Sequence, residues 1–281
     1  RMRSGFEGAE QLFLGRNAAD VVAILSQAPG GLELLPTADY NDGKPWLKVR
    51  DKNDKDKVIL ALPENGDPYE EIYNSPAWYG MVPEANLGLM TPGEKLSNSN
   101  SDDESPRKAL KKTIDKAREF HEAIEKKYKT PTYAHYGAQG KRDKDKERGG
   151  VLRSGLMASK NLFTWGEVAW EGEGVSKMTP GQILIADDDG NGELKTTSGI
   201  KLSIGEPDCP GDGTVPLPSG EAPGKAGIAL SFAHGHGNPG KCNEHFSYDH
   251  QGSYGDKHGR SLYASMYAII KIAQQAQWHK K

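Results

Sequence analysis

The sequence predicts an α/β fold, in which helices pack against a sheet. Apolar residues recur every three or four positions between Leu110 and Ile124 and again between Leu262 and Ala273, as in amphipathic helices. A strand-like run at 132–137 lies between them and ends at a glycine turn. With 281 residues, of which 35% are hydrophobic and 27% charged, the chain can bury a full core.

The first third of the chain predicts one helix and then an irregular insertion. The run 18–26 has a helical pattern that Pro29, Gly30 and Gly31 end. Between 37 and 95 the chain is rich in Pro, Gly, Asp and Asn and carries scattered aromatic clusters. We therefore expect no packed sheet in this stretch.

A long helix should follow a polar linker at 97–106. Ser105 is a good N-cap and Pro106 suits the first helical position, so we expect the helix to run to about Tyr128. Its predicted buried stripe consists of Leu110, Ile114, Ala117, Phe120, Ala123 and Ile124.

A β-rich stretch should separate the strand at 132–137 from the end of the chain. Strand-like runs occur at 163–170 and 181–185, and Asn191-Gly192 predicts a hairpin turn because both residues tolerate positive φ. The run 261–277 predicts a terminal amphipathic helix.

Composition excludes several classes of protein. A net charge of −3 gives no electrostatic footprint for nucleic acid. No apolar run approaches the ~18 residues that a membrane span needs, and no signal peptide opens the chain. We expect a protein that is exported by a signal-less route or stays in the cytoplasm. Because the chain opens Arg1-Met2-Arg3, we also expect it to be cut from a longer polypeptide.

Two residues near the end of the chain predict an acid and a base. Asp212 lies in Gly211-Asp212-Gly213-Thr214-Val215, and His250 precedes the terminal helix. The usual nucleophile motif G-x-S-x-G occurs nowhere in the chain. In α/β-hydrolases the order is Ser, Asp, His, so this order predicts the C-terminal part of an α/β-hydrolase.

Each of these residues has an alternative. Asp212 could simply cap a turn through its side chain, as Asp-Gly pairs often do. His245 is the alternative base, whereas His234, His236 and His258 match the expected position less well.

Metal binding is the weaker interpretation of the remaining polar residues. His234, His236, Cys242 and His245 offer zinc ligands, but without the paired spacing of structural zinc sites. The acidic run 187–192 resembles the start of a calcium loop, yet Ser198 takes the place of its bidentate Glu. We expect no metal or other cofactor, with calcium as the alternative.

Cys209 and Cys242 flank the segment that runs from the Asp212 motif, the acid loop, towards His250 in the base loop. A disulfide between Cys209 and Cys242 would tie these loops together and would imply an oxidising compartment. Two free thiols in a reduced compartment are the alternative.

The order of these landmarks resembles the lecithin:cholesterol acyltransferase-like lipases, and among bacterial relatives the lipase effectors of type VI secretion systems. The landmarks are 1–5 as the tail of a Gly-Ala-Pro segment, Leu34-Leu35-Pro36, Tyr136-Gly137, the Asp212 motif, and His250-Gln251-Gly252-Ser253-Tyr254. The resemblance implies a core segment at 1–36, a lid or cap insertion at 37–130, and a C-terminal hydrolase core at 131–281.

The resemblance also implies a function. Acyl esters of lipids or phospholipids would be cleaved through an acyl-serine intermediate, with the nucleophile on a missing N-terminal region. Trp78, Tyr79 and Leu89 of the lid would contact the lipid or a membrane surface. An antibacterial effector would act in a target periplasm or at a membrane and would have an immunity protein. A catalytically degenerate binding module, or an esterase for small esters or peptides, is the alternative.

Overall fold

The computed structural model describes residues 2–6, 14–89, 105–138, 163–235, 250–255 and 259–276. Two compact units comprise Arg1–Glu125 with Val168–Gly205, called unit 1, and Lys126–Glu167 with Glu206–Lys281, called unit 2. The helices and strands of the described residues are α1 (Ala18–Leu25), α2 (Pro29–Leu32), β1 (Leu47–Asp51), β2 (Val58–Leu62), α3 (Pro106–Ile124), β3 (Tyr133–Gly137), β4 (Val168–Gly172), β5 (Ile185–Asp188), β6 (Glu193–Thr196), β7 (Lys201–Ile204), α4 (Leu217–Lys225), β8 (Leu230–His234) and α5 (Arg260–Gln275).

Unit 1 contains a six-stranded sheet in the order β2-β1-β4-β7-β6-β5. The pair β1–β4 is parallel and the other pairs are antiparallel, so this sheet is mixed. The predicted hairpin is present, because β5 and β6 pair across the turn at 189–192.

Strands β1 and β2 show that the prediction of an insertion without a packed sheet was wrong. Leu47, Val49 and Asp51 are buried in alternation with half-buried Lys48 and Arg50, which is the period-two pattern of a strand. The turn-forming residues on either side dominate the composition and conceal this short alternation. The aromatic clusters are core residues, since Trp46 packs between Tyr40 and Tyr73.

Helix α3 begins at Pro106 as predicted and ends at Ile124, short of Tyr128. Its buried face comprises Leu110, Ile114, Ala117 and His121. The expected stripe is therefore wrong at its C-terminal end, where Phe120 and Ile124 are exposed.

Histidine can take the buried position on α3 because both of its ring nitrogens have partners. Nε2 donates to the Glu33 carbonyl oxygen at 2.8 Å, and Nδ1 of His121 accepts from the Tyr69 hydroxyl at 2.7 Å. Burial raises the pKa of Tyr69 to about 12, so the hydroxyl keeps its proton at neutral pH. These bonds join α3 to Glu33 and to the π-helical turn Tyr69–Tyr73.

Unit 2 is built on a pair of parallel strands. β3 and β8 run side by side with Tyr133 opposite Leu230 and Gly137 opposite His234. Helix α4 lies against β3, where Gly220 packs so closely on the Tyr136 ring that a Cβ would lie 2.6 Å from it.

The terminal helix, α5, forms as predicted, but most of its apolar residues face solvent. It contacts the strand pair through Tyr267, whose ring meets Tyr133 and Phe232 edge to face. The predicted stripe residues Leu262, Met266, Ile269 and Ile270 are exposed. No described helix is long and apolar enough to cross a membrane.

Asp51, at the end of β1, gives unit 1 a predicted acid sensitivity. Its carboxylate accepts from the Ser176 hydroxyl at 2.7 Å and the Asn53 amide at 3.0 Å, and these bonds lower its pKa to about 2. The unfolded chain should titrate near ~3.9. The stability from these bonds is therefore fully present above pH ~4 and is lost as the pH falls through about 2.

We expect Asp51→Asn to lower the melting temperature at pH 7 and to flatten its dependence on pH between about 4 and 2. Thermal unfolding followed by circular dichroism at a series of pH values measures both effects. Asp56→Asn, at an exposed position nearby, is the control and should match the wild type. Equal melting temperatures for wild type and Asp51→Asn at pH 7 would contradict this account.

Candidate functional site

Asp212 is held by the turn that contains it. One oxygen of its carboxylate, Oδ1, accepts from the backbone amides of Thr214 at 3.0 Å and Val215 at 2.7 Å. Its own amide donates to the Val215 carbonyl oxygen at 3.3 Å. Asp212 is only 7% exposed. A buried carboxylate with these donors keeps one orientation, and Oδ2 is left to face a second group.

Glycines on both sides of Asp212 are required by this geometry. Gly213 has a φ of 86°, a conformation that glycine adopts at little cost. At Gly211 an added Cβ would lie 2.4 Å from the Val215 carbonyl oxygen. The motif around Asp212 is thus a local structural requirement as well as a candidate chemical one.

His250 meets the free oxygen of Asp212. Its Nδ1 lies 3.0 Å from Oδ2, and its backbone amide donates to the Asp212 carbonyl oxygen at 3.0 Å. A carboxylate only accepts hydrogen bonds, so Nδ1 carries the proton and Nε2 of the neutral ring is the acceptor. The imidazole side chain is 52% exposed.

Residues beyond His250 support its position. The Ser253 hydroxyl donates to the His250 carbonyl oxygen at 3.0 Å within the turn Gln251–Ser253. The buried Ser261, at the start of α5, donates in turn to the Ser253 carbonyl oxygen. Ser261 was not predictable from the sequence, because a polar residue in the first turn of a helix has no distinctive pattern.

Thr164 supports the turn that holds Asp212 from a distant part of the chain, and it was not predictable from the sequence either. It is buried, forms a backbone bridge with Cys209, and brings its methyl group close to Gly211. Burial raises the pKa of the Cys209 thiol, so the neutral thiol predominates at pH 7.

Several candidate residues fall outside the described part of the chain. Cys242, the other half of the candidate disulfide, and the alternative base His245 are among them, as are His236 and His258. Of the alternative histidines, His234 is described, and it ends β8 with its ring 6.0 Å from that of His135. The disulfide therefore stays a prediction.

The three lid candidates belong to unit 1. Trp78 packs edge to face on the buried Trp170, Tyr79 packs against the core that contains Trp46, and Leu89 is buried. This packing accounts for their apolar character. Their contact with a substrate stays a prediction.

Two carboxylates of the acidic turn at 187–192 bind other residues of unit 1. Asp189 accepts from the amides of Asn191 and Glu193, and Asp188 pairs with Arg3 at 2.9 Å. Within the described ranges, no group of three or more His, Cys, Asp or Glu residues is arranged to hold a metal ion.

Comparison with known proteins gives one similar structure. No protein-family model and no curated protein sequence matches the chain. The crystal structure of the Tle4–Tli4 complex contains a similar chain, with a TM-score of 0.73 and 35% sequence identity. The match covers 99% of this chain and 52% of that one, so this chain spans about half the length of the chain it matches.

The contacts of Gly211 predict the effect of adding one methyl group. Gly211→Ala would bring Cβ within 2.9 Å of the Thr164 side chain and closer still to the Val215 carbonyl oxygen. We expect a loss of about 1–3 kcal/mol in the free energy of unfolding, which urea denaturation measures. Gly181→Ala, where a Cβ meets nothing within 4 Å, is the control. Full stability of Gly211→Ala would show that this turn is not tightly packed.

Proposed function

We propose that this chain supplies the acid and the base of a serine hydrolase that cleaves acyl esters of lipids or phospholipids. The observation that carries the proposal is the contact between a buried Asp212 and a half-exposed His250, at 3.0 Å through Nδ1. The similarity to a chain of the Tle4–Tli4 complex supports a hydrolase of the lipase-effector kind.

The proposed chemistry follows from the proton positions at the pair. Nε2 of His250 takes the proton of a serine hydroxyl while that oxygen attacks the ester carbonyl. Asp212 holds the ring in the tautomer with Nδ1 protonated and stabilises the imidazolium that forms. The same imidazolium then protonates the alcohol that leaves, and water hydrolyses the acyl-serine with His250 again as the base. This route needs no metal or organic cofactor.

The nucleophile is proposed to lie on polypeptide outside these 281 residues. The sequence holds no G-x-S-x-G, and nearly half of the matched chain has no counterpart here. In this proposal the 281 residues alone have no esterase activity.

The biological role is proposed from the two resemblances together. The sequence is similar to the lipase effectors of type VI secretion, and the matched chain was crystallised in a complex of two proteins, Tle4 and Tli4. We infer an antibacterial effector that leaves the cell by that route, acts on lipid at a target membrane, and is neutralised by an immunity protein.

Substitutions of the pair test the proposed chemistry in the complete enzyme. Asp212→Asn should lower kcat on a short acyl ester by roughly 10⁴-fold, because the ring loses its preferred tautomer. His250→Ala should lower it further, by on the order of 10⁶-fold, because the base itself is gone. Hydrolysis of a chromogenic butyrate ester measures both.

Asp187→Asn, at an exposed position of the acidic turn, is the matched control and should leave kcat unchanged. Wild-type turnover in either site variant would refute the assignment of the pair. A panel of acyl chain lengths then separates a lipase, which should favour long chains, from an esterase for small esters.

A further inference from the structure

Helix α5 has apolar residues on both of its faces. The side toward the strand pair carries the buried Ser261 and Ala264, and Tyr267 lies against Tyr133 and Phe232. The opposite side is between 48% and 65% exposed at its four largest aliphatic residues. These four residues, called the outer face of α5, are Leu262, Met266, Ile269 and Ile270.

A helix that is apolar all round is typical of a protein interior. Contiguous exposed apolar residues of this kind mark an interaction surface. The outer face follows the spacing of one helical stripe, so a single packed partner could cover all of it.

The strand pair beside α5, formed by β3 and β8, also indicates that a neighbouring element covers this part of unit 2. Parallel sheets are found with both faces covered, and two strands alone are marginally stable in water. Among the described residues β3 and β8 pair only with each other. Leu230, at the start of β8, is exposed. Unit 2 therefore has the character of one edge of a larger α/β core.

We propose that the outer face of α5 is the docking surface for a polypeptide that corresponds to the rest of the matched chain of the Tle4–Tli4 complex and completes this core. The match covers only 52% of that chain, so nearly half of it has no counterpart here. The location of the docking surface rests on α5 and the strand pair. That the partner brings the serine to His250 rests on the proposed function.

The chemistry of α5 favours this occupant over a membrane. Helices that bind lipid surfaces carry Lys and Arg on a polar face opposite the apolar one. The charged residues of α5 are Arg260, which is buried, and Lys271, whose amine lies over the Tyr267 ring. A second copy of the chain would cover the outer face but would leave the length of the matched chain unexplained.

Co-expression tests the proposal without requiring either partner to fold alone. The 281-residue chain is produced together with the part of the matched chain that it does not cover, and the two should copurify at equal stoichiometry. Ile269→Asp with Ile270→Asp should weaken the complex by roughly 100-fold or more, because two aliphatic side chains lose their burial. Gln274→Asp with Gln275→Asp, on exposed positions of the same helix, is the matched control and should bind like the wild type.

Three results would overturn the inference. One is the absence of a complex, and another is a complex that the double isoleucine variant leaves intact. The third is a different occupant, seen as self-association of the chain or binding to phosphatidylglycerol vesicles that the isoleucine variant abolishes and the glutamine variant retains. Far-ultraviolet circular dichroism of both variants shows whether α5 still forms.

The inference and the proposed function fail separately. A complex that forms through the outer face but hydrolyses no ester would leave the docking surface in place and overturn the proposed function. Conversely, a complete enzyme that needs Asp212 and His250 while the isoleucine variant assembles normally would retain the function and overturn the docking surface.

Discussion

The candidate site depends on how the two oxygens of one buried carboxylate are divided. Oδ1 of Asp212 accepts two amides of its own turn, and Oδ2 accepts Nδ1 of His250. Because the turn holds the carboxylate, the histidine cannot reorient without losing a charge-assisted hydrogen bond. The turn requires glycine on both sides, because Gly213 has a φ of 86° and a Cβ at Gly211 would lie 2.4 Å from the Val215 carbonyl oxygen.

The bond to Oδ2 also explains how the imidazole of His250 can be half exposed and still keep a defined position. A half-exposed side chain would ordinarily sample several rotamers in solvent. The ring of His250 is instead held by the bond from Nδ1 to Oδ2 of Asp212. Its backbone is held by two further bonds, from its amide to the Asp212 carbonyl oxygen and from the Ser253 hydroxyl to its own carbonyl oxygen. Exposure of the ring is thus compatible with a defined position, which the proposed role of His250 as a base requires.

Sequence reasoning succeeded where the signal was local. The start of α3 followed from Pro106, and the formation of α5 followed from periodicity. Asp212 and His250, predicted as an acid and a base, lie in contact, whereas their catalytic roles stay a prediction. The predictions failed where composition was misleading or where the decisive contact was distant. Strand β1 is short, and turn residues on either side obscure its pattern. The buried face of α3 ends in His121, which can be buried because Tyr69 and Glu33, on other elements, bind its two ring nitrogens.

The residues that support the site, Thr164 and Ser261, could not be predicted from the sequence at all. Thr164 and Ser261 act through a backbone bridge and a bond to a carbonyl oxygen, and neither interaction constrains residue type enough to leave a motif. The outer face of α5 is the opposite case, since its periodicity is plain in the sequence while the surface that covers it is not. Periodicity predicts that a face will be buried, but it does not identify the partner.

The proposed acid and base lie within one unit, and this placement has a consequence for assembly. If Asp212 and His250 came from different polypeptides, each encounter would have to order a carboxylate, a ring and a nucleophile together. Here the carboxylate and the ring already lie in their relative positions, so in the proposed hydrolase the serine would have to meet a single atom, Nε2. The entropy of ordering the pair is lost on folding and not on association. A docking surface on α5, whose first turn contacts the turn that begins at His250, would therefore set the position of the nucleophile relative to the base through one short connection.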